Sequence, residues 1–505
     1  MTAFDRVIGY ESVKEELIRY CDSFKNPERY RKLGVKAPRG VLLWGEPGIG
    51  KSLMAECFAE ECGCKTYIIR KQYSDGKFLD YITDTFREAC ENAPAVIILD
   101  DLDKFSNSGF EYRNTDEYVA VQAGIDACKE YDVFVLATAN DIGFLPYSLI
   151  RAERFDRVIE LQDPSTADAK QILTSYIQKT NIDENVDIQE LLVLLSGRTC
   201  AELEKVVNDA GISAAYAGRS KIGHVDLFNA CVRLITGEPD TMDPCTGKSA
   251  KLIAIHEAGH VVVSEYWKSG SVNLASIAGT SCRKCGVTSF IKEDEKAQSM
   301  EDMIEEVSVM LGGKAATKVL LDIEDTGCRN DIRNAYNLAK TAVADLCWEN
   351  FSTITYGPDA SEQNMGNRDT IVSDFLDENY KVTKEIISEN QILLQRIADA
   401  LLAQTTITYK DIKRIINEVG WDSTNPEVLN RQRRCQVVMR QGHRKSSGKS
   451  GSYRKRSCFD LVDEFALAGK RAEFDGANAE ATKNLMAIND ILDKMQRDRI
   501  LSGRV

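Results

Sequence analysis

The chain has 505 residues, with 64 Lys and Arg against 78 Asp and Glu; the formal net charge of -14 disfavours a nucleic-acid coat over the whole surface. Hydrophobic residues at 43% and aromatics at 8% exclude a largely disordered chain, and the length suits roughly three domains. No stretch approaches the roughly 18 apolar residues of a membrane-spanning helix, and the opening segment has no basic, apolar and cleavable leader. Fifteen cysteines, an odd number, cannot all pair within one chain, so reduced thiols and a cytoplasmic location are expected.

From residue 40 to 161, short apolar runs end in polar loops and give way to helical patterns, the rhythm of a parallel α/β sheet. The runs cover 40–44, 95–99, 133–137 and 158–161. Helical spacing then takes over at 165–178, 187–195, 199–217 and 224–234, predicting a small α-helical lid. This divides the chain into an α/β domain over 1–162, a lid over 163–238 and a turn-rich linker over 239–247. Residues 248–420 form a mainly helical domain interrupted by a small hairpin near 271–291. A C-terminal extension over 421–505 completes the chain. Within it, residues 431–456 hold ten Lys and Arg and no acid, a basic linker suited to an anionic partner or adaptor, and a terminal helix follows.

Gly45-Glu46-Pro47-Gly48-Ile49-Gly50-Lys51-Ser52 fits G-x-x-x-x-G-K-[ST], directly after an apolar strand and ahead of a helical segment. Glycines let the backbone curl so that its N–H groups face phosphates, and the following helix N-terminus adds positive partial charge. Lys51 is expected to neutralise the β/γ-phosphates of ATP, with Ser52 on Mg²⁺. A second acidic strand end, Val96-Ile-Ile-Leu-Asp100-Asp101, supplies Asp100 for the Mg²⁺ shell and Asp101 for the attacking water. Asn140 ends the next strand, placed for the γ-phosphate or its water. Arg151 and Arg154, three apart on a turn, suit an anion.

Ile253-Ala-Ile-His256-Glu257-Ala-Gly-His260 carries H-E-x-x-H inside an apolar helical pattern. Four residues of helix rotate by about 400°, so the two imidazoles lie about 40° apart and one turn from each other, both able to reach one Zn²⁺. Glu257 lies beside them, placed to take a proton from water without being a ligand. A catalytic zinc needs a third protein ligand, and the two other histidines, His224 and His443, lie in the lid and the basic run, which favours a carboxylate.

Together these motifs, with Phe4-Asp5-Arg-Val-Ile-Gly9, Pro38-Arg-Gly-Val-Leu-Leu43, the Ala-Thr-Ala-Asn140 strand end and Arg151-Ala-Glu-Arg154-Phe-Asp, resemble the AAA+ module of the FtsH family. Leu311-Gly-Gly-Lys-Ala-Ala316 and Thr326-Gly-Cys-Arg-Asn-Asp331 extend the resemblance over about residues 4–420. It implies a P-loop AAA+ domain with a helical lid, then a zinc peptidase domain. It also implies a ring, a homo-hexamer, in which Arg151 and Arg154 act as arginine fingers on the neighbour's ATP. Asp331 becomes the third zinc ligand. The implied activity is ATP-dependent cleavage of threaded polypeptides; the alternative is an AAA+ remodelling chaperone whose zinc is structural.

Three departures from the family pattern stand out. Family members usually carry two N-terminal membrane helices, and this chain begins at the module. Asp101 stands where the family's catalytic glutamate does, one methylene shorter, so slower hydrolysis is expected. The pore-loop aromatic has no recognisable counterpart, and Tyr73 and Phe78 are its nearest candidates. Cys282-Arg-Lys-Cys285 has no second cysteine pair nearby and reads as structural or incidental thiols, with a redox or metal role as the alternative.

Overall fold

The computed structural model describes all residues except 1, 35–37, 72–76, 107–115, 152–153, 238–246, 280–284, 293–298, 325, 345–361 and 422–505. Five strands form one parallel sheet: β1 (Gly40–Trp44), β2 (Lys65–Arg70), β3 (Ala95–Asp100), β4 (Val133–Ala139) and β5 (Arg157–Glu160), in the order β2-β3-β4-β1-β5. Helices α1 (Glu11–Lys25), α2 (Pro27–Arg31), α3 (Lys51–Cys62), α4 (Lys77–Glu91) and α5 (Asp116–Ala127) accompany it. β3 and β4 are buried along their whole length, because helices cover both faces of a parallel sheet and leave no polar side. One apolar core gathers around Ile82, Phe86, Ile97 and Val135, and a second around Leu17, Phe58, Ile98 and Phe134.

The expected strands at 40–44, 95–99, 133–137 and 158–161 all coincide with strands of the sheet. β2 was missing from the sequence reading. It lies at the sheet edge with only Ile69 buried, so its residues show neither a continuous apolar run nor a clean alternation. Its register is nonetheless closed against β3, Lys65 opposite Ala95 through Arg70 opposite Asp100. That pairing sets Arg70 beside an acidic strand end.

The lid helices α6 (Thr166–Gln178), α7 (Ile188–Leu194), α8 (Cys200–Tyr216) and α9 (His224–Thr236) match the sequence expectation closely. Each of the first three begins where a short polar side chain accepts a backbone N–H: Ser165 from Asp168, Asp187 from Gln189 and Glu190, Thr199 from Glu202. Such caps satisfy donors that a helix start leaves unpaired. Residues 239–246 of the expected linker lie outside the described residues.

α10 (Gly247–Trp267) is the central helix of the next region. It is buried without a break from Ala254 to Tyr266, so it has no polar stripe and must be enclosed on every side. α11 (Met300–Leu321) crosses it with glycine on both helices: a Cβ on Gly259 would lie 2.4 Å from the Gly312 carbonyl oxygen. After α10, Glu265 accepts the N–H groups of Gly270 (2.7 Å) and Val272 (3.3 Å), which fixes the turn into β6 (Val272–Gly279). β7 (Cys285–Phe290) pairs antiparallel with β6, the expected hairpin, and β8 (Thr406–Thr408) closes the sheet as β7-β6-β8. α12 (Arg329–Ala344), α13 (Glu362–Glu389), α14 (Gln391–Gln404) and α15 (Tyr409–Val419) are the remaining described helices.

The chain divides into two compact units, Met1–Ala335 with Tyr380–Asn425, and Tyr336–Asn379 with Pro426–Val505. The first unit holds the residues of both candidate sites. Within it the lid and the β6–β8 sheet share a core: Leu274 of β6 packs among Leu191, Leu203 and Leu227. Lys292 also pairs with Asp163 at 2.5 Å, and Lys410 with Glu190 at 2.8 Å.

Candidate metal centre and nucleotide site

On α10 the helical repeat stacks His256 above His260, as the spacing requires, and both rings are buried at 8% and 7% exposure. Their Nε2 atoms stand 3.2 Å apart. Asp331, in the first turn of α12, brings its Oδ2 to 3.2 Å from His256 Nε2 and 3.6 Å from His260 Nε2. His260 Nδ1 lies 2.7 Å from the Val309 carbonyl, which can only accept, so the ring carries its proton on Nδ1 and turns the Nε2 lone pair toward the cluster.

Zinc fits this arrangement. Tetrahedral bonds of about 2.0–2.1 Å put neighbouring ligand atoms about 3.3 Å apart, and the three separations here span 3.2 to 3.6 Å. Burial works to raise the Asp331 carboxyl pKa, but hydrogen bonding and charge from His256 and His260 outweigh it and hold the group well below the usual carboxylate range. Room for the set comes from glycine: a Cβ on Gly313 would sit 2.5 Å from the His256 ring.

Glu257 is 6% exposed and points across to β7, where the Thr288 hydroxyl donates to its Oε2 at 2.7 Å. Gly286, two residues earlier on the same strand, leaves space for the carboxylate; a Cβ there would lie 2.3 Å from Oε1. Burial pushes the Glu257 carboxyl up, against the charges of His260 and His256 and the Thr288 hydrogen bond.

The second site lies at the C-terminal ends of the parallel strands. Gly45 (φ 146), Gly48 (φ 86) and Gly50 (φ 101) take conformations closed to most side chains, and so let the loop curl between β1 and α3. Lys51 is 5% exposed and donates to the Gly45 and Glu46 carbonyls, each at 2.8 Å. Burial lowers its pKa. Ser52 Oγ and Thr138 Oγ1 both donate to Asp100 Oδ1 at 2.8 Å. On the other oxygen, Arg70 donates from Nε at 2.8 Å and also from Nη2. Asp101, at φ 54, accepts from Lys104 at 2.7 Å and from the Asn140 amide at 3.3 Å. A phosphate-binding loop, a buried lysine, and a hydroxyl and carboxylate in contact are the parts that ATP and Mg²⁺ require. The loop also touches the lid, since Gly48 O accepts the Ala201 N–H at 2.9 Å.

Residues 41–163 match the family described as ATPase family associated with various cellular activities (AAA), and residues 244–415 match Peptidase family M41. Similar curated proteins named ATP-dependent zinc metalloprotease FtsH come from Caldicellulosiruptor bescii (29% identical over 450 residues, 82% of this chain and 72% of the relative) and Helicobacter pylori (29% over 449 residues, 82% and 70%). Another, from Methylococcus capsulatus, is 28% identical over 453 residues, covering 83% and 70%. An AAA region followed by an M41 peptidase region stands in this chain, and over both it is similar to the FtsH proteases. The fold expected of the family, a parallel P-loop sheet followed by a mainly helical peptidase region, is the fold observed.

The structure brings together His256, His260, Asp331 and Glu257, and separately Gly45 to Ser52 with Asp100, Asp101 and Asn140. It does not present Arg154 as expected of a finger. That residue is 7% exposed and turned inward, donating to both Asp126 oxygens (3.4 and 2.8 Å), to Gln122 Oε1 (2.9 Å) and to Ser148 O (2.6 Å). Its hydrogen bond to Asp126 holds that carboxyl below its ordinary value. Arg151 is exposed. Phe78, one of the two pore-loop candidates, is 2% exposed and packs edge-on against Phe105, so it belongs to the core and not to an open loop. Tyr73, Cys282 and the basic run 431–456 lie outside the described residues. No helix among the described residues is long and apolar enough to cross a membrane. Sequence reading missed Arg70, Thr288, Gly286 and Gly313, whose relevance arises only from their neighbours in space.

Proposed function

We propose that this chain is an ATP-dependent zinc endopeptidase acting on polypeptides, with His256, His260 and Asp331 as the metal ligands. The observation that carries the reading is the buried pair of imidazole nitrogens 3.2 Å apart beside a carboxylate oxygen, with a glutamate carboxylate next to them on the same helix. Bound zinc supplies the Lewis acidity that lowers the pKa of a coordinated water and polarises the scissile carbonyl. Glu257 takes the proton from the attacking water on a carboxylate oxygen and returns it to the leaving amine nitrogen. Thr288 holds that carboxylate to β7, and the burial of His256, His260 and Glu257 limits bulk water. A chaperone with a purely structural zinc would have no use for Glu257, and the M41 match disfavours that alternative.

At the other site, Lys51 and the loop N–H groups hold the ATP phosphates, and Ser52 and Asp100 face Mg²⁺, which neutralises phosphate charge when bound. Asp101 and Asn140, hydrogen-bonded to each other, orient the water that attacks the γ-phosphate. We place the ATPase, lid, linker and peptidase regions at 1–162, 163–238, 239–247 and 248–420. In a homo-hexameric ring, exposed Arg151 is the residue that reaches a neighbour's nucleotide. The nine described cysteines are free thiols, which suits a reducing cytoplasm.

Glu257→Gln tests the assignment. Peptide cleavage should fall by about 10²–10⁴-fold, the usual range for removing a general base, with bound zinc and ATP hydrolysis unchanged. Zinc-dependent cleavage at the wild-type rate in this variant would sink the reading.

A further inference from the structure

The nucleotide site contains a cation that the phosphate-loop chemistry does not ask for. β2 and β3 run in parallel with Arg70 opposite Asp100, and the guanidinium reaches Asp100 Oδ2 through both Nε and Nη2. Ser52 and Thr138 occupy Oδ1, so every side of the carboxylate already has a hydrogen-bond donor. The two partners differ in their freedom. The Asp100 side chain is 5% exposed and pinned by three residues, whereas Arg70 is 56% exposed and stands at the sheet edge. A guanidinium with one face in water can leave the carboxylate at little desolvation cost; the buried carboxylate has nowhere else to go.

We propose that Arg70 is a resident competitor for the divalent cation at Asp100, so that magnesium loads against a tethered positive charge. This rests on the reading of Asp100 as the carboxylate that faces Mg²⁺. A cation arriving there meets repulsion from Arg70 unless the guanidinium swings away, and the triphosphate is the nearest anion able to receive it. Arg70 therefore favours metal-free ATP, by neutralising Asp100 beside the phosphates, and disfavours the metal. The chain would bind ATP first and require a higher Mg²⁺ concentration to complete the site. A guanidinium that merely tied the edge strand down would not shift these two affinities in opposite directions.

The test follows binding of a fluorescent ATP analogue to the full chain, without metal and across a Mg²⁺ titration. In Arg70→Gln the half-saturating Mg²⁺ concentration should fall roughly tenfold, the scale of one partly screened unit charge a few ångströms from a divalent ion, and metal-free binding should weaken. Arg70→Lys keeps the charge and should stay close to wild type. Should Arg70→Gln not fold, Arg70→Ser removes the same charge from an exposed position and carries the same expectation. An unchanged or raised Mg²⁺ requirement in the folded neutral variant overturns the proposal. Lys51→Met should lose nucleotide with and without metal; a wild-type chain that binds no ATP overturns the nucleotide reading itself, and this proposal with it.

Discussion

At the metal centre two buried imidazole nitrogens on α10 crowd against the oxygen of a half-buried carboxylate on α12. At the nucleotide site every charged group considered has a partner of its own: Lys51 has two carbonyls, Asp100 has Arg70 and two hydroxyls, Asp101 has Lys104 and Asn140. The first arrangement is electrostatically incomplete without a cation and gains most from binding one. The second is satisfied by the protein alone, and its ligand must displace or recruit contacts that already exist. Buried lone pairs turned on one another make a tight and passive ion site; internally paired charges make a site suited to repeated loading and release.

The largest expected effect separates the two sites by stability. Removing zinc with a chelator should lower the unfolding midpoint of the peptidase region by roughly 10 °C, as expected for a ligand held about a thousandfold above its Kd. ATP with Mg²⁺ should move the α/β region less. A calorimetric scan in which ATP protects more than zinc would break the contrast. Next in size, Gly313→Ala forces a methyl group against the His256 ring and should weaken zinc roughly 10–100-fold, the usual range for disturbing a ligand's support. Competition with a chromophoric chelator measures this, and nucleotide affinity should not change. Smallest is Thr288→Val, which keeps the shape but removes the hydroxyl from Glu257: kcat should drop about tenfold with KM unchanged, the worth of one hydrogen bond to a charged group. Thr288→Ser should restore it with zinc content constant throughout, and equal losses in both variants would reduce Thr288 to a packing role.

What the sequence made legible follows the range of the interactions. His256 and His260 are four residues apart on one helix, so a local repeat places them together. The phosphate loop is a contiguous octapeptide whose glycines announce their conformation. Asp331 is 75 residues from His256 and emerged from family likeness, not from spacing. Arg70, 30 residues from Asp100, was invisible because its strand is half-exposed and its partner is set by sheet register. Arg154 shows the reverse failure. Its motif suggested a residue reaching outward, but Asp126, 28 residues earlier, draws the guanidinium inside. Thr288 escaped notice because a hydroxyl on a hairpin has no signature until a buried carboxylate is found above it.

The position of Leu274 bears on how the chain does work. Its side chain lies in the core of the lid while its backbone is part of β6, the strand that carries β7 and with it Thr288 and Gly286 under Glu257. The lid in turn meets the phosphate loop through Gly48 and Ala201. The lid and the hairpin beneath Glu257 therefore share one packed core that also meets the phosphate-binding loop, so continuous contacts join the two candidate sites.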